Sequence, residues 1–176
     1  MNHVPLARTR RASPELRADG HDGALLAPFA TLAVRTHAGK LVELAYLRHG
    51  TPPAAPRNAT AALVLRELER YLDDPEFRFT VPLAPAGTAF QQRVWTHLAT
   101  IPVGQSRTYG EVARAVQSAA RAIGGACGAN PIALVIPCHR VVGSRGALGG
   151  FMNAAAGDPI AIKRWLLAHE GYRFGA

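Results

Sequence analysis

Pro137-Cys138-His139-Arg140 places a potential nucleophile directly beside a potential base. A thiolate is a strong nucleophile, and an imidazole within reach can draw off the thiol proton. The tetrapeptide follows the apolar run Ile132–Ile136, whose pattern predicts a short buried strand with the thiol at its end. Taken alone, one Cys beside one His is weak evidence, since most lone cysteines are small core residues. The decision rests on what else the chain can bring to Cys138.

Glu170 is the first such residue. Asp158-Pro159 is a good N-cap followed by a favoured first helical residue, and the helix it opens runs through Trp165 to Glu170 before Gly171 stops it. Ile162, Leu166 and Leu167 are expected to face inward. A carboxylate in the last turn opposes the helix dipole, so Glu170 needs a cationic or hydrogen-bonding partner. Solvent is one answer and His139 the other.

A second unusual stretch begins at Ser118, which is expected to cap a helix reaching about Gly128. Arg121, Gly124, Gly125 and Gly128 fall at i, i+3, i+4 and i+7, a bare stripe led by one arginine. Each interior glycine costs roughly 1 kcal/mol relative to alanine. The face therefore serves close approach, either of another helix or of a nucleic-acid groove probed by Arg121. Ile123 and Cys127 share the opposite face, which makes Cys127 a core residue.

The remaining elements must position these groups. Phe29–His37 and Lys40–Leu47 read as a hairpin around Ala38-Gly39, and Thr51–Pro56 as a loop. Ala61–Leu72 reads as a helix with Leu65, Leu68 and Leu72 in a stripe, and Phe77–Val81 alternates like a further strand. Pro82, Pro85 and Gly87 mark a linker. Thr88–Ala99 is predicted helical, and Thr108-Tyr-Gly-Glu111 is a capping box that opens a helix bearing Tyr109, Val112, Ala113 and Val116. The expected fold is a small α/β unit over residues 25–84, then a mainly helical unit over residues 85–176, with residues 1–24 an Arg-rich flexible tail.

Composition narrows the setting. Two cysteines in 176 residues make no disulfide framework, and neither paired Cys-x-x-Cys motifs nor a His cluster suggests zinc. Reduced thiols, no membrane-length apolar run and no signal-peptide stretch fit a cytoplasmic protein. Residues 1–88 carry 11 basic and 9 acidic side chains, whereas residues 89–176 carry 9 basic and 3 acidic. The basic half is the one holding Cys138, and a basic face attracts nucleic acid, although ordinary solvated arginine produces the same excess.

Several motifs in order make the chain resemble the O6-alkylguanine-DNA alkyltransferases, also called methylated-DNA–protein-cysteine methyltransferases. They are Gly-Thr-Ala-Phe-Gln-Gln-Arg-Val-Trp at 87–95, Thr-Tyr-Gly-Glu-Val-Ala at 108–113, Ala-Ala-Arg-Ala at 119–122 and Gly-Ala-Asn-Pro at 128–131. Ile-Pro-Cys-His-Arg-Val-Val at 136–142 and Lys-Arg-Trp-Leu-Leu-Ala-His-Glu-Gly at 163–171 complete the set. The resemblance implies single-turnover transfer of an alkyl group from O6-alkylguanine in double-stranded DNA to Cys138, without a cofactor or metal.

In that scheme His139 acts through a water on Cys138, Glu170 orients His139, Tyr109 donates to the guanine, and Asn130 holds the turn carrying Cys138. The helical unit would contain a winged helix-turn-helix-like motif. Ser118, Ala119, Arg121, Gly124, Gly125 and Gly128 would contact DNA, with Arg121 filling the space of a flipped base. Phe151, Met152 and Lys163 would line the substrate pocket. The protein would work as a monomer with no obligate protein partner.

Two departures from the family pattern stand out. Val116-Gln117-Ser118 is a shorter inter-helix turn than usual, which bears on the reach of Arg121. The loop Gly150–Asp158 is longer, with Phe151 where tyrosine is common, implying a greasier and larger pocket. Rival readings are a lesion-gripping module and a helix-turn-helix regulator, neither of which needs Cys138, His139 and Glu170 together. A thiol hydrolase fits poorly, because Gly143-Ser144 lacks the G-x-S-x-G pattern and no oxyanion hole is evident.

Overall fold

The structure, a computed structural model, describes residues 20–151 and 159–173. Three antiparallel strands form a sheet in the order β1 (Gly23–Leu26), β2 (Thr31–His37), β3 (Lys40–Leu47). The hairpin turns at Ala38 and Gly39, both with positive φ, which matches the strand twist as a two-residue primed turn does. β1 begins inside the stretch assigned to the tail. Asp22 fixes its start by accepting from Thr36 N at 2.7 Å and Thr36 Oγ1 at 2.9 Å. The tail assignment for residues 1–19 lies outside the described residues.

α1 (Ala59–Asp73) packs across the sheet through Ala61, Val64, Leu65 and Leu68, and its N-cap is Asn58, whose Oδ1 accepts from Ala61 N at 2.8 Å. Residues 77–81 form no strand. The buried Glu67 carboxylate takes their donors instead, from Thr80 N at 3.0 Å, Val81 N at 3.2 Å and the Thr80 hydroxyl. The predicted linker is likewise tied down: Leu41 N donates to Pro82 O at 2.8 Å and Ala84 N to Leu41 O at 2.9 Å.

α2 (Ala89–Leu98) starts with a reciprocal cap between Thr88 and Gln91, and Trp95 Nε1 donates to Ala126 O at 2.9 Å. A two-residue strand β4 (Arg107–Thr108) leads into α3 (Tyr109–Ala115), whose Thr108–Glu111 capping box is present. Gln117, at φ 53°, reverses the chain, and Ser118 N closes on Ala113 O at 2.8 Å. α4 (Ala120–Gly128) follows. Its N-cap is Ala119, with no side-chain cap, so Ser118 does not cap this helix; the tight reversal uses Ser118 as a backbone donor.

The predicted strand at Ile132–Ile136 is instead a compact turn. Leu134 has φ 89°, and Ile136 N donates to Ile132 O at 2.9 Å. Leu44 N and Tyr46 OH of β3 bond the carbonyls of Pro131 at 2.8 Å and Ala133 at 3.3 Å. A continuous apolar run identifies burial, but periodicity cannot distinguish a ladder from a buried turn. β5 (Val141–Val142) pairs in parallel with β4, and α5 (Pro159–His169) closes the fold. One apolar core runs from Leu32 and Val34 of the sheet through Leu68, Val94, Val112 and Ile123 to Leu166.

Candidate active site

Cys138 opens a short 3-10 turn, Cys138–Arg140, immediately after Pro137. The backbone is therefore not extended at the Cys-His pair. Asn130 builds the platform for it: its Nδ2 donates to Ile136 O at 2.9 Å and its Oδ1 accepts from Ile132 N at 3.0 Å. Both bonds span the turn that delivers Pro137 and Cys138. Cys138 is only 2% exposed, yet it lines a cavity of about 450 Å³.

Behind the thiol, His139 is fully buried and its Nε2 lies 2.9 Å from Glu170 Oε1. Glu170 follows the end of α5, where Gly171 at φ 76° turns the chain away. Its carboxylate collects further donors. Arg140 Nε reaches Oε2 at 2.8 Å, Arg140 Nη2 reaches Oε1 at 2.8 Å, and Tyr71 OH reaches Oε1 at 2.9 Å. Arg140 Nη1 also donates to Ile101 O at 2.5 Å, binding the segment after α2 to the same cluster.

These contacts set the charges. Burial alone would raise the Glu170 carboxyl, but the hydrogen bonds from His139 and Arg140 outweigh it and hold the group at about 2. Burial dominates at His139 and pushes it below the ordinary imidazole value, despite the pull of Glu170. At neutral pH the pair is thus carboxylate and neutral imidazole. Nε2 carries the proton toward Glu170, which leaves Nδ1, buried and without a protein partner, as the free acceptor. Burial pushes the Cys138 thiol up to about 11, with Asn130 and Lys163 pulling the other way.

The cavity wall accounts for two glycines of the stripe. Gly124 and Gly128 of α4 line it with Ala120, Tyr109 and Phe151. A Cβ at Gly124, Gly125 or Gly128 would meet nothing within 4 Å, so this stripe packs against no helix. α4 is held instead by its buried residues Ile123, Ala126 and Cys127. Arg121, Ser118, Ala119 and Gly125 are exposed and lie outside the cavity lining. Cys127 is buried but also lines the cavity, and burial lifts its thiol to about 12.

Tyr109 OH donates to Gly150 O at 3.0 Å, and burial raises the phenol to about 12. Lys163 does not line the cavity, contrary to its expected pocket position. It is fully buried, donates from Nζ to Val141 O at 2.5 Å and Gly150 O at 2.9 Å, and sits 5.7 Å from the Tyr109 ring centroid. Burial lowers this ammonium to about 8. Met152 lies outside the described residues, as does most of the loop to Asp158.

Sequence reasoning missed two partners of Glu170 and read Cys127 as core alone. Tyr71 is 99 residues from Glu170, and no local pattern couples them. Arg140 was part of the motif, but its bidentate geometry appears only when α5 is docked. Cys127 is adjacent to Gly128 in the glycine-rich helix, and that adjacency was the available signal.

Residues 89–172 match the family model described as the DNA-binding domain of 6-O-methylguanine DNA methyltransferase. A methylated-DNA–protein-cysteine methyltransferase of Methanosarcina acetivorans is 47% identical over 108 residues, 60% of this chain; the match spans 66% of that relative's length. The Mycobacterium bovis protein of the same name is 39% identical over 152 residues, 83% of this chain and 89% of the relative. The crystal structure of Mycobacterium tuberculosis OGT in complex with DNA superposes with a TM-score of 0.71 at 38% identity, covering 84% of this chain and 90% of that one. Likeness of this extent, over both the sheet and the helices, shows that the chain belongs to the methylated-DNA–protein-cysteine methyltransferase family.

Proposed function

We propose that this protein repairs O6-alkylguanine in DNA by moving the alkyl group irreversibly to Cys138. The observation carrying this reading is a buried thiol that lines a cavity of about 450 Å³ and is followed in the chain by an imidazole hydrogen-bonded to a carboxylate. In the step, the Cys138 sulfur forms a bond to the alkyl carbon as the carbon–O6 bond breaks. The thiol proton passes through water to His139 Nδ1, Glu170 stabilises the imidazolium, and the departing guanine keeps the electron pair. The product is a thioether, so each molecule acts once.

Tyr109 supplies the proton donor for the departing base after exchanging its bond to Gly150 O. Lys163 holds Val141 and Gly150 in place behind that wall and so acts on the pocket indirectly. Phe151 gives the pocket an apolar side. The target base has to leave the stack to reach Cys138, at a cost of a few kcal/mol. Arg121, exposed on α4, enters the vacated space, while Ser118, Ala119 and the open glycine face lie against the minor groove.

α3 and α4 act as the helix-turn-helix, and β4 with β5 forms the wing. Residues 85–176 carry the chemistry and the DNA contacts, supported by residues 25–84. The protein works as a monomer in the cytoplasm; among the described residues no helix is long and apolar enough to cross a membrane. Its partner is duplex DNA containing the lesion, in keeping with the DNA-bound M. tuberculosis relative.

A direct test titrates the protein against duplex bearing labelled O6-methylguanine. The expected result is saturation at one methyl per protein molecule, lost in Cys138→Ser. Repeated turnover, or transfer unaffected by Cys138→Ser, refutes the reading.

A further inference from the structure

Glu170 is gripped from both halves of the chain. Tyr71, in the last turn of α1, donates to Oε1, the oxygen that also receives His139 Nε2. Its ring is fixed by Phe79 at 5.7 Å and by the edge of His169 at 5.3 Å. Its carbonyl accepts from His169 Nε2 at 2.7 Å, while Trp165 stacks on His169 at 4.8 Å and Phe29 packs on Trp165 at 4.7 Å. The end of α5 is thereby clasped to α1, and the phenol hydroxyl is aimed at one oxygen. Burial and the Glu170 charge push the Tyr71 phenol far above its usual range, so it remains a donor throughout the working pH.

We propose that Tyr71 is a positioning residue for the transfer reaction, sharing Glu170 Oε1 with His139 and thereby limiting how strongly the carboxylate holds the imidazole proton. The inference rests on the alkyl-transfer reading above. A carboxylate with one donor fewer is more basic, and it raises the proton affinity of the imidazole bonded to it. The other charged groups acting on this pair are Arg140 on the Cys138 turn and Lys163 on α5; Tyr46 of β3 and His169 of α5 face Tyr71. None of these supplies a second neutral donor to Oε1. Burial keeps His139 neutral, and Tyr71 adds to this by weakening the pull of Glu170, so Nδ1 is available to the thiol proton.

Tyr71→Phe removes only the hydroxyl. NMR titration of His139, assigned by its loss in His139→Gln, is expected to show its midpoint rising by about half to one unit in the variant. The acid limb of the methyl-transfer rate moves up by the same amount, while DNA affinity holds. A His139 midpoint that does not move overturns the proposal, including the case in which Tyr71→Phe simply lowers the melting temperature. The titration needs no turnover. Failure of wild-type transfer therefore sinks the alkyl-transfer reading separately, and the His139 midpoint still decides the role of Tyr71.

Discussion

Glu170→Gln keeps the shape of the side chain and removes its charge. Four N–H and O–H groups converge on the two carboxylate oxygens, from His139, twice from Arg140, and from Tyr71. An amide offers only one oxygen, so it leaves buried donors facing a donor, and Arg140, with a side chain 11% exposed, loses its counter-ion. The magnitude follows from linkage. Glu170 is held at about 2 in the folded protein against an ordinary 4.5. A difference of about 2.5 units corresponds to about 3 kcal/mol of stability at neutral pH.

Because the folded value is depressed, that stability is present above pH 4.5 and is lost as pH falls toward 2. Glutamine does not titrate. The melting-temperature gap between wild type and variant is therefore expected to be about 6–12 °C at pH 7. It should shrink to about half or less by pH 3. Circular-dichroism melts across this range read it directly. A gap as wide at pH 3 as at pH 7 would refute the reasoning, because it would place the loss in packing and not in the carboxylate charge.

Asn130→Ala leaves the buried Ile136 carbonyl and Ile132 amide unpaired. It should cost about 3 kcal/mol, seen as a melting shift of about 6–12 °C, and slow transfer even where the protein stays folded. Wild-type stability and rate would contradict the platform role. Gly125→Ala adds a Cβ that meets no neighbour; it should raise the melting temperature by about 2–4 °C and weaken DNA binding in a gel-shift titration. Gly124→Leu should fill the cavity wall and slow transfer of a benzyl adduct more than of methyl, measured as a ratio of single-turnover rates. Equal slowing of both would argue that Gly124 bounds no alkyl space.

Local chemistry made the hairpin and the Thr108–Glu111 cap legible, since each depends on residues a few positions apart. The segments that misled were those whose backbone groups are satisfied by distant side chains. Phe77–Val81 alternates like a strand, but Glu67 takes its donors. Ile132–Ile136 is as apolar as a strand, but Asn130 and the positive φ of Leu134 fold it into a turn. Glu170 was recognisable because a carboxylate at a helix C-terminus needs a partner. Its full set of donors was not, because Tyr71 and Arg140 reach it only through tertiary packing. How Lys163 meets the pocket was not legible for a related reason: a long side chain can bury its ammonium among backbone carbonyls, one of them that of the cavity-lining Gly150.

The central claim is that Cys138 receives the alkyl group. Intact-protein and peptide mass spectrometry after incubation with an O6-methylguanine duplex tests it most directly, beside Cys138→Ser. The account requires a gain of one methyl group, mapped to the peptide containing Cys138 and absent from the variant. An unmodified Cys138 in protein that still retains the lesion duplex would contradict it, and would make the molecule a lesion-binding module.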